Sequence, residues 1–265
     1  MTNKIDQKFI ELRKAGKKAF IAFITAGDPD LHTTEALVLA LERAGADIIE
    51  LGVPFSDPLA DGPTIQAASY RSLQNGTTLK KIFTTVKRIR QRSHIPIALM
   101  TYYNPVFHFG QHAFVTQAKA AGVDGVIIPD LPLEEAGDLR RFAMKADLST
   151  IFFIAPTTTP NRLKPIIQAA TGFIYYVAVA GVTGVRKTIP SEIARKIRAV
   201  KTLTDKPVCV GFGVSTPEQV CSLARVADGV IVGSAIVKEI QKYAGAKDMV
   251  ARVGAFVTTL VKAIK

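Results

Sequence analysis

Short, nearly continuous apolar runs alternate along the chain with longer segments in which apolar residues recur every three or four positions. The runs are Phe20–Thr25, Ile48–Leu51, Ile95–Thr101, Gly125–Pro129, Thr150–Ala155, Phe173–Ala178, Pro207–Gly211 and Gly229–Gly233. Rich in Val, Ile, Phe and Ala at successive positions, they predict parallel strands covered on both faces. Helical periodicity between them covers Thr33–Arg43, Ile65–Arg71, Phe114–Ala120, Leu133–Ala143, Leu163–Gln168, Ser191–Thr202 and Glu218–Arg225. One more amphipathic helix is predicted before the first strand, over Met1–Gly16, and one after the eighth, over Tyr243–Lys265.

A local phrase recurs in this pattern. Ala44-Gly45-Ala46-Asp47-Ile48-Ile49 parallels Ala121-Gly122-Val123-Asp124-Gly125-Val126, and Val226-Ala227-Asp228-Gly229-Val230 repeats its second half. In the first two, glycine can cap the preceding helix in a left-handed conformation. In all three, an aspartate then introduces an apolar strand. Helix–cap–strand units repeated without a Pro/Ser-rich linker predict one cyclic α/β domain over residues 1–265, a (β/α)8 TIM barrel with an extra N-terminal helix. The two terminal helices are expected to close its ends. A doubly wound open sheet is disfavoured by the strand number and by the absence of an early G-x-G-x-x-G.

Composition narrows the class. With 265 residues, 48% hydrophobic and 21% charged, the chain can bury a large core, and disorder is excluded. The longest apolar stretches, Ala19–Ala26 and Phe173–Ala180, fall far short of the ~20 residues of a membrane span. The polar N-terminus lacks an apolar signal region, so a cytoplasmic protein with no membrane role is expected. Cys209 and Cys221 lack metal or disulfide spacing and read as reduced thiols. The net charge of +12 raises the question of nucleic acid. Its densest basic run, Lys80 to Arg92, places Ile82, Phe83, Val86 and Ile89 at helical spacing. That is the solvated face of a wall helix, so no nucleic-acid partner is expected.

In a TIM barrel, chemistry sits on the loops after the carboxyl ends of the strands. After the second strand runs Glu50-Leu51-Gly52-Val53-Pro54-Phe55-Ser56-Asp57-Pro58-Leu59-Ala60-Asp61-Gly62-Pro63. Glu50 interrupts an apolar strand. It is either a carboxylate satisfied by neighbouring donors or an acid/base group raised by burial. Asp61 is equally readable as a turn former or N-cap ahead of Pro63 and as a catalytic carboxylate; Asp57, before Pro58, reads as a turn residue. Gly181-Val182-Thr183-Gly184-Val185-Arg186, after the sixth strand, reads either as a loop that closes over substrate or as a simple connection. Gly211-Phe212-Gly213-Val214-Ser215 and Gly233-Ser234-Ala235-Ile236-Val237 follow strands seven and eight, where barrels hold phosphate on backbone amides and a helix N-terminus. A phosphorylated small molecule is the expected substrate. His108 and His112 stand four apart without an accompanying acid, so no metal is expected. No lysine ends a predicted strand, which disfavours Schiff-base chemistry.

These residues resemble tryptophan synthase alpha chains. The resemblance rests on Phe20–Pro29, Glu50–Pro63, Pro129-Asp130-Leu131-Pro132, Ala180–Gly184 and the two glycine loops, and it runs in order from about residue 8 to 260. It implies a lyase that cleaves indole-3-glycerol phosphate to indole and glyceraldehyde 3-phosphate in tryptophan biosynthesis. The family's catalytic carboxylates fall on Glu50 and Asp61. Its indole pocket falls on Phe23, Tyr102, Ile127 and Tyr175, and its phosphate and mobile loops on Thr183, Gly184, Gly213, Gly233 and Ser234. The resemblance further implies no cofactor in this chain and a beta chain partner carrying pyridoxal phosphate in an αββα heterotetramer. The partner would be met at Asp57–Gly62, Asn104-Pro105 and Pro129–Pro132. Ala178-Val179-Ala180 departs from the hydroxyl-bearing residues many relatives carry there. Other phosphate-binding barrels would lack the joint Glu50/Asp61 segment, and a purely scaffolding subunit would need none of these residues.

Overall fold

The computed structural model describes residues 3–177, 191–211 and 213–264. Helix α1 (Lys4–Lys14) leads into β1 (Ala19–Thr25), α2 (Leu31–Arg43), β2 (Ile48–Gly52), α3 (Pro63–Gln74), α4 (Leu79–Arg90) and β3 (Ile97–Met100). Then follow α5 (Tyr103–Phe109), α6 (Gln111–Ala121), β4 (Gly125–Ile127), a 3-10 turn at Leu133–Glu135, α7 (Gly137–Lys145) and β5 (Ser149–Ile154). The remainder is α8 (Pro160–Ala169), β6 (Ile174–Val177), α9 (Ser191–Lys201), β7 (Val208–Gly211), α10 (Pro217–Ala224), β8 (Gly229–Val232), α11 (Ser234–Lys242) and α12 (Met249–Lys262). The eight strands are parallel and close in sequence order, β8 returning to β1 with Ala22 opposite Val232. This is the predicted (β/α)8 barrel.

Strand alternation divides the apolar residues into two cores. Phe20, Ile49, Leu51, Leu99, Val126, Tyr176, Val210 and Val230 point outward and pack under the helices. Ile21, Ile48, Ala98, Ile127, Ile151, Tyr175, Cys209 and Ile231 fill the interior. Helix α1 seals the amino-terminal end, as expected, because Ile5, Phe9 and Leu12 join that inner cluster. Phe9 lies 5.9 Å from the ring of Phe173. The close fit explains Gly125, where a methyl would come within 2.8 Å of Ile5.

The recurrent aspartates form a fastening. The Asp47 carboxylate accepts from Phe20 N–H at 2.9 Å, Asp124 from Ile97 N–H at 2.9 Å, and Asp228 from Val208 N–H at 3.1 Å. Thr171 serves the fourth pair, its hydroxyl accepting from Thr150 N–H at 2.7 Å. At each place the backbone returns a bond, as from Asp124 N–H to Ile97 O at 2.8 Å. A residue one to three positions ahead of each even strand thus ties down the start of the odd strand before it. Gly45 and Gly122, φ +97 and +95, make the left-handed turns that deliver the first two aspartates.

Three details differ from the sequence expectation. The segment 103–109 is helical although its seven residues carry too little periodicity to show it. The helix expected over Leu133–Ala143 is split: Ala136 N–H closes a 3-10 turn on Leu133 O, and α7 starts only at Gly137. The final helix starts at Met249 rather than Tyr243, because Gly245 at φ +83 turns the chain. It does not close an end; α12 packs along α2, α10 and α11 in the outer ring.

Asp124 also meets Arg90 at 2.7 Å, with both side chains largely buried. Burial pushes its carboxyl above the ordinary range even so, a sign that the pair's attraction does not outweigh its desolvation. Removing one member strands the other. Asp124→Ala is therefore expected to lower unfolding free energy by about 3–5 kcal/mol, and Thr171→Val, which orphans one N–H, by about 1–3 kcal/mol. Urea unfolding measures both; equal, negligible losses would refute the fastening.

Candidate active site

Beyond the inner core layer, the next inward positions of the strands surround a cavity of about 530 Å3 at the carboxyl end of the barrel. That volume lies within the ordinary range for small-molecule sites. Register places Glu50 of β2 beside Phe23 of β1 and Ala98 of β3. Two residues after inward-facing Ile48, the Glu50 side chain must also face in. It is 1% exposed, and neither carboxylate oxygen has a hydrogen-bond partner among the described residues. The described residues therefore offer no donor that would satisfy Glu50 internally. Burial, reinforced by the charge of Asp61, pushes its pKa up to about 8.

Asp61 comes from the loop between β2 and α3. Its N–H donates to Pro58 O at 3.0 Å, so the turn reading holds for its backbone. The N-cap reading does not hold: Gly62 is the cap of α3, with no side-chain capping bond. Its carboxylate instead accepts from Tyr102 Oη at 3.1 Å, and that same hydroxyl accepts from Ala60 N–H at 2.9 Å. The ring of Tyr102 stacks on Phe55 at 5.2 Å. Burial raises the Asp61 carboxyl to about 6, with the Tyr102 bond working against the rise. Two carboxylates that influence each other thus occupy distinct settings. At neutral pH the apolar setting of Glu50 favours its acid form, while Asp61 is mostly ionised.

Aromatic and glycine positions shape the rest. A methyl at Gly52 would meet the Phe23 ring at 2.7 Å, and one at Gly211 would meet Tyr175 Oη at 2.6 Å. Those glycines let two aromatic walls stand where strands converge. Gly233 abuts the same Phe23 ring, a packing role that its sequence context does not disclose.

Of the residues singled out by sequence, Glu50, Asp61, Phe23, Tyr175, Gly213, Gly233 and Ser234 share the cavity. Two do not reach it. Ile127 is fully buried in the inner core layer, and Tyr102 stands behind the Asp61 loop as its strut. Thr183 and Gly184, with the whole glycine loop after β6, lie outside the described residues, as does Phe212. Met100, Phe153, Ile65, Val177 and Lys238 line the cavity without having been anticipated. Met100 and Phe153 have the inward parity of Ala98 and Ile151, a signal usable only once the register is known. His112 sits edge-on to Phe142, and among the described residues no three His, Cys, Asp or Glu side chains gather as metal ligands. Cys209 and Cys221 are free thiols, the first buried, the second partly exposed. No helix among the described residues is long and apolar enough to cross a membrane.

The raised Glu50 carboxyl has a consequence for stability. The unfolded chain binds this proton with an ordinary pKa near 4.5, the folded chain near 8. Its contribution is fully present below 4.5 and lost as pH rises through 8. Glu50→Gln, which carries no such charge, should therefore gain stability relative to wild type between pH 5 and 9, by more than about 1.4 kcal/mol, the worth of one pKa unit. Unfolding at both pH values tests this; a constant difference would refute the burial assignment.

Comparison with known proteins agrees with the geometry. The family model for the tryptophan synthase alpha chain matches residues 9–265. The chain is 50% identical over 257 residues to the tryptophan synthase alpha chain of Geotalea daltonii, covering 97% of each. It is 50% identical over 258 residues to that of Caldanaerobacter subterraneus, covering 97% of this chain and 98% of the relative. Among solved structures, tryptophan synthase subunit alpha from Legionella pneumophila superposes with a TM-score of 0.93 at 38% identity, over 100% and 99% of the two chains. A chain of the tryptophan synthase complex from Pyrococcus furiosus gives 0.84 at 41% identity, over 93% and 99%.

Proposed function

The chain belongs to the tryptophan synthase alpha chain family, the lyases that cleave indole-3-glycerol phosphate to indole and glyceraldehyde 3-phosphate, and we propose that Glu50 and Asp61 carry out that cleavage here. The observation that bears most weight is the buried, unpartnered Glu50 carboxyl facing a cavity that also holds Asp61.

The proposed reaction is a retro-aldol cleavage. Glu50, held protonated by its surroundings, donates its proton to indole C3. Positive charge then resides on the ring nitrogen, whose N–H donates to the Asp61 carboxylate. Glu50, now ionised, takes the proton of the hydroxyl on the adjacent side-chain carbon. The O–H electrons form the aldehyde carbonyl, and the C–C bonding pair returns to the ring. Indole leaves neutral, and Glu50 has recovered its proton. Phe23 and Tyr175 provide the apolar walls for the ring. Backbone amides at Gly213, Gly233 and Ser234 hold the phosphate, helped by the N-terminal dipole of α11. Thr183 and Gly184 complete the site on the loop after β6. Tyr102 acts through Asp61, and Ile127 supports the pocket floor.

We assign residues 1–265 to one catalytic domain. It works in the cytoplasm and is joined to a beta chain in an αββα assembly, with pyridoxal phosphate carried by the beta chain. The Asp57–Gly62 loop, Asn104-Pro105 and Pro129–Pro132 form the proposed contact face, where Leu59 is 93% exposed. Docking there would order the loop that carries Asp61. Indole release by the purified chain is accordingly expected to rise sharply when a beta chain is added. No indole under either condition, from a folded barrel, would refute the reading.

Each carboxylate should be required. Glu50→Gln and Asp61→Asn are expected to lower kcat by about 100-fold to 10,000-fold. The wild-type kcat/KM should be bell-shaped. It falls below about 6 as Asp61 gains a proton and above about 8 as Glu50 loses one, the two limbs belonging to the coupled pair. Asp61→Asn should erase the acid limb from the residual activity. A flat profile, or turnover of Glu50→Gln near wild type, would sink the assignment.

A further inference from the structure

The cavity's lining includes one feature that the proposed reaction leaves unused. Among the described residues, Lys238 is the one lysine or arginine on its wall. It lies four residues after Ser234 on α11, hence on the same helix face one turn further on. Helical side chains lean toward the N-terminus of their helix. An extended lysine at this position therefore carries its ammonium back toward Ser234 and Gly233. Lys238 is solvent-exposed and forms no ion pair with any described residue, whereas the nearby Lys242 is paired with Glu239 at 3.7 Å. The next inward residue, Val237, is fully buried against Phe23 and Ala68, which fixes the rotation of the helix about its axis.

The cavity therefore has a sharp internal polarity. The ionised Asp61 repels an anion near the reacting carbons. Gly213 and Ser234 offer backbone amides, which attract an anion without distinguishing its charge strongly. The Lys238 ammonium, without an ion-pair partner among the described residues and leaning toward the Ser234 end of the helix, supplies a full positive charge to the same cavity. We infer that Lys238 is a specificity-determining residue of this site, a cation that closes on the terminal phosphate of the substrate and selects the phosphorylated form. This rests on the reading of the cavity as a site for a phosphorylated glycerol side chain. It assigns to one lysine a share of substrate capture that backbone amides alone would leave weak.

Glycerol 3-phosphate is the probe, titrated into the full-length chain by calorimetry. Lys238→Ala should weaken its binding about tenfold, equivalent to about 1.4 kcal/mol, while Lys238→Arg should stay close to wild type. The wild-type advantage should shrink with added salt, because the ammonium is exposed. In the condensation direction, KM for glyceraldehyde 3-phosphate should rise by a similar factor while KM for uncharged indole stays put. A structural disturbance would move both constants, and that result would overturn the inference. Wild-type affinity of Lys238→Ala for glycerol 3-phosphate would overturn it too. If the wild-type chain releases no indole yet its glycerol 3-phosphate binding depends on Lys238, the lysine assignment stands and the proposed reaction falls.

Discussion

A parallel sheet closed on itself has no free edge, and this constraint organises the rest of the molecule. Every strand is hydrogen-bonded on both sides, so its register is locked to two neighbours at once. Alternate side chains have nowhere to go but the interior. Once Ile48 is inside, Glu50 is inside as well, whatever the cost of burying a carboxyl. The fastenings at Asp47, Asp124, Thr171 and Asp228 hold strand starts in pairs at one end. The opposite end is left to converge around the cavity.

The two carboxylates draw their difference from this architecture. Glu50 projects from a rigid strand to a buried position where no described residue donates to it, and desolvation governs its proton affinity. Asp61 hangs from a loop and owes its position to a second side chain, Tyr102, which is itself stacked on Phe55. One acid is placed by the sheet and the other by a strut. Movements of the 57–62 loop can therefore reposition Asp61 while Glu50 stays where the strand holds it. This is a natural division for a site whose proposed partner docks against the loop.

Much of the fold was legible without coordinates because buried parallel strands are apolar on both faces and amphipathic helices carry their period. Segment 103–109 escaped detection for lack of length, and the 133–143 and 243–248 breaks escaped because local hydrogen bonds at Ala136 and the turn at Gly245 override the apolar period. At the site, the odd acid in an apolar strand pointed to Glu50, and glycine loops in the right order pointed to Gly213, Gly233 and Ser234. The resemblance groups Tyr102 and Ile127 with the pocket, whereas in the structure Tyr102 supports Asp61 and Ile127 lies in the inner core. Phe153, Met100 and Lys238 carry no local signature that separates them from ordinary strand and helix residues.

The amino-acid sequence by itself determined the order of the strands and most of the helices, the closed barrel and the family, and its resemblance offered Glu50 and Asp61 as the candidate carboxylate pair, since each is written in short-range pattern or motif. Tertiary structure alone decided which inward positions lie at cavity depth and which lie a layer beneath. It also decided that Asp61 is held by Tyr102 across 41 residues of chain, and that Gly52 and Gly233 exist to admit a phenylalanine ring. Depth along the barrel axis depends on the stagger of all eight strands, and a contact between distant loops depends on where the closed sheet brings them. Neither quantity is a property of any local stretch of sequence.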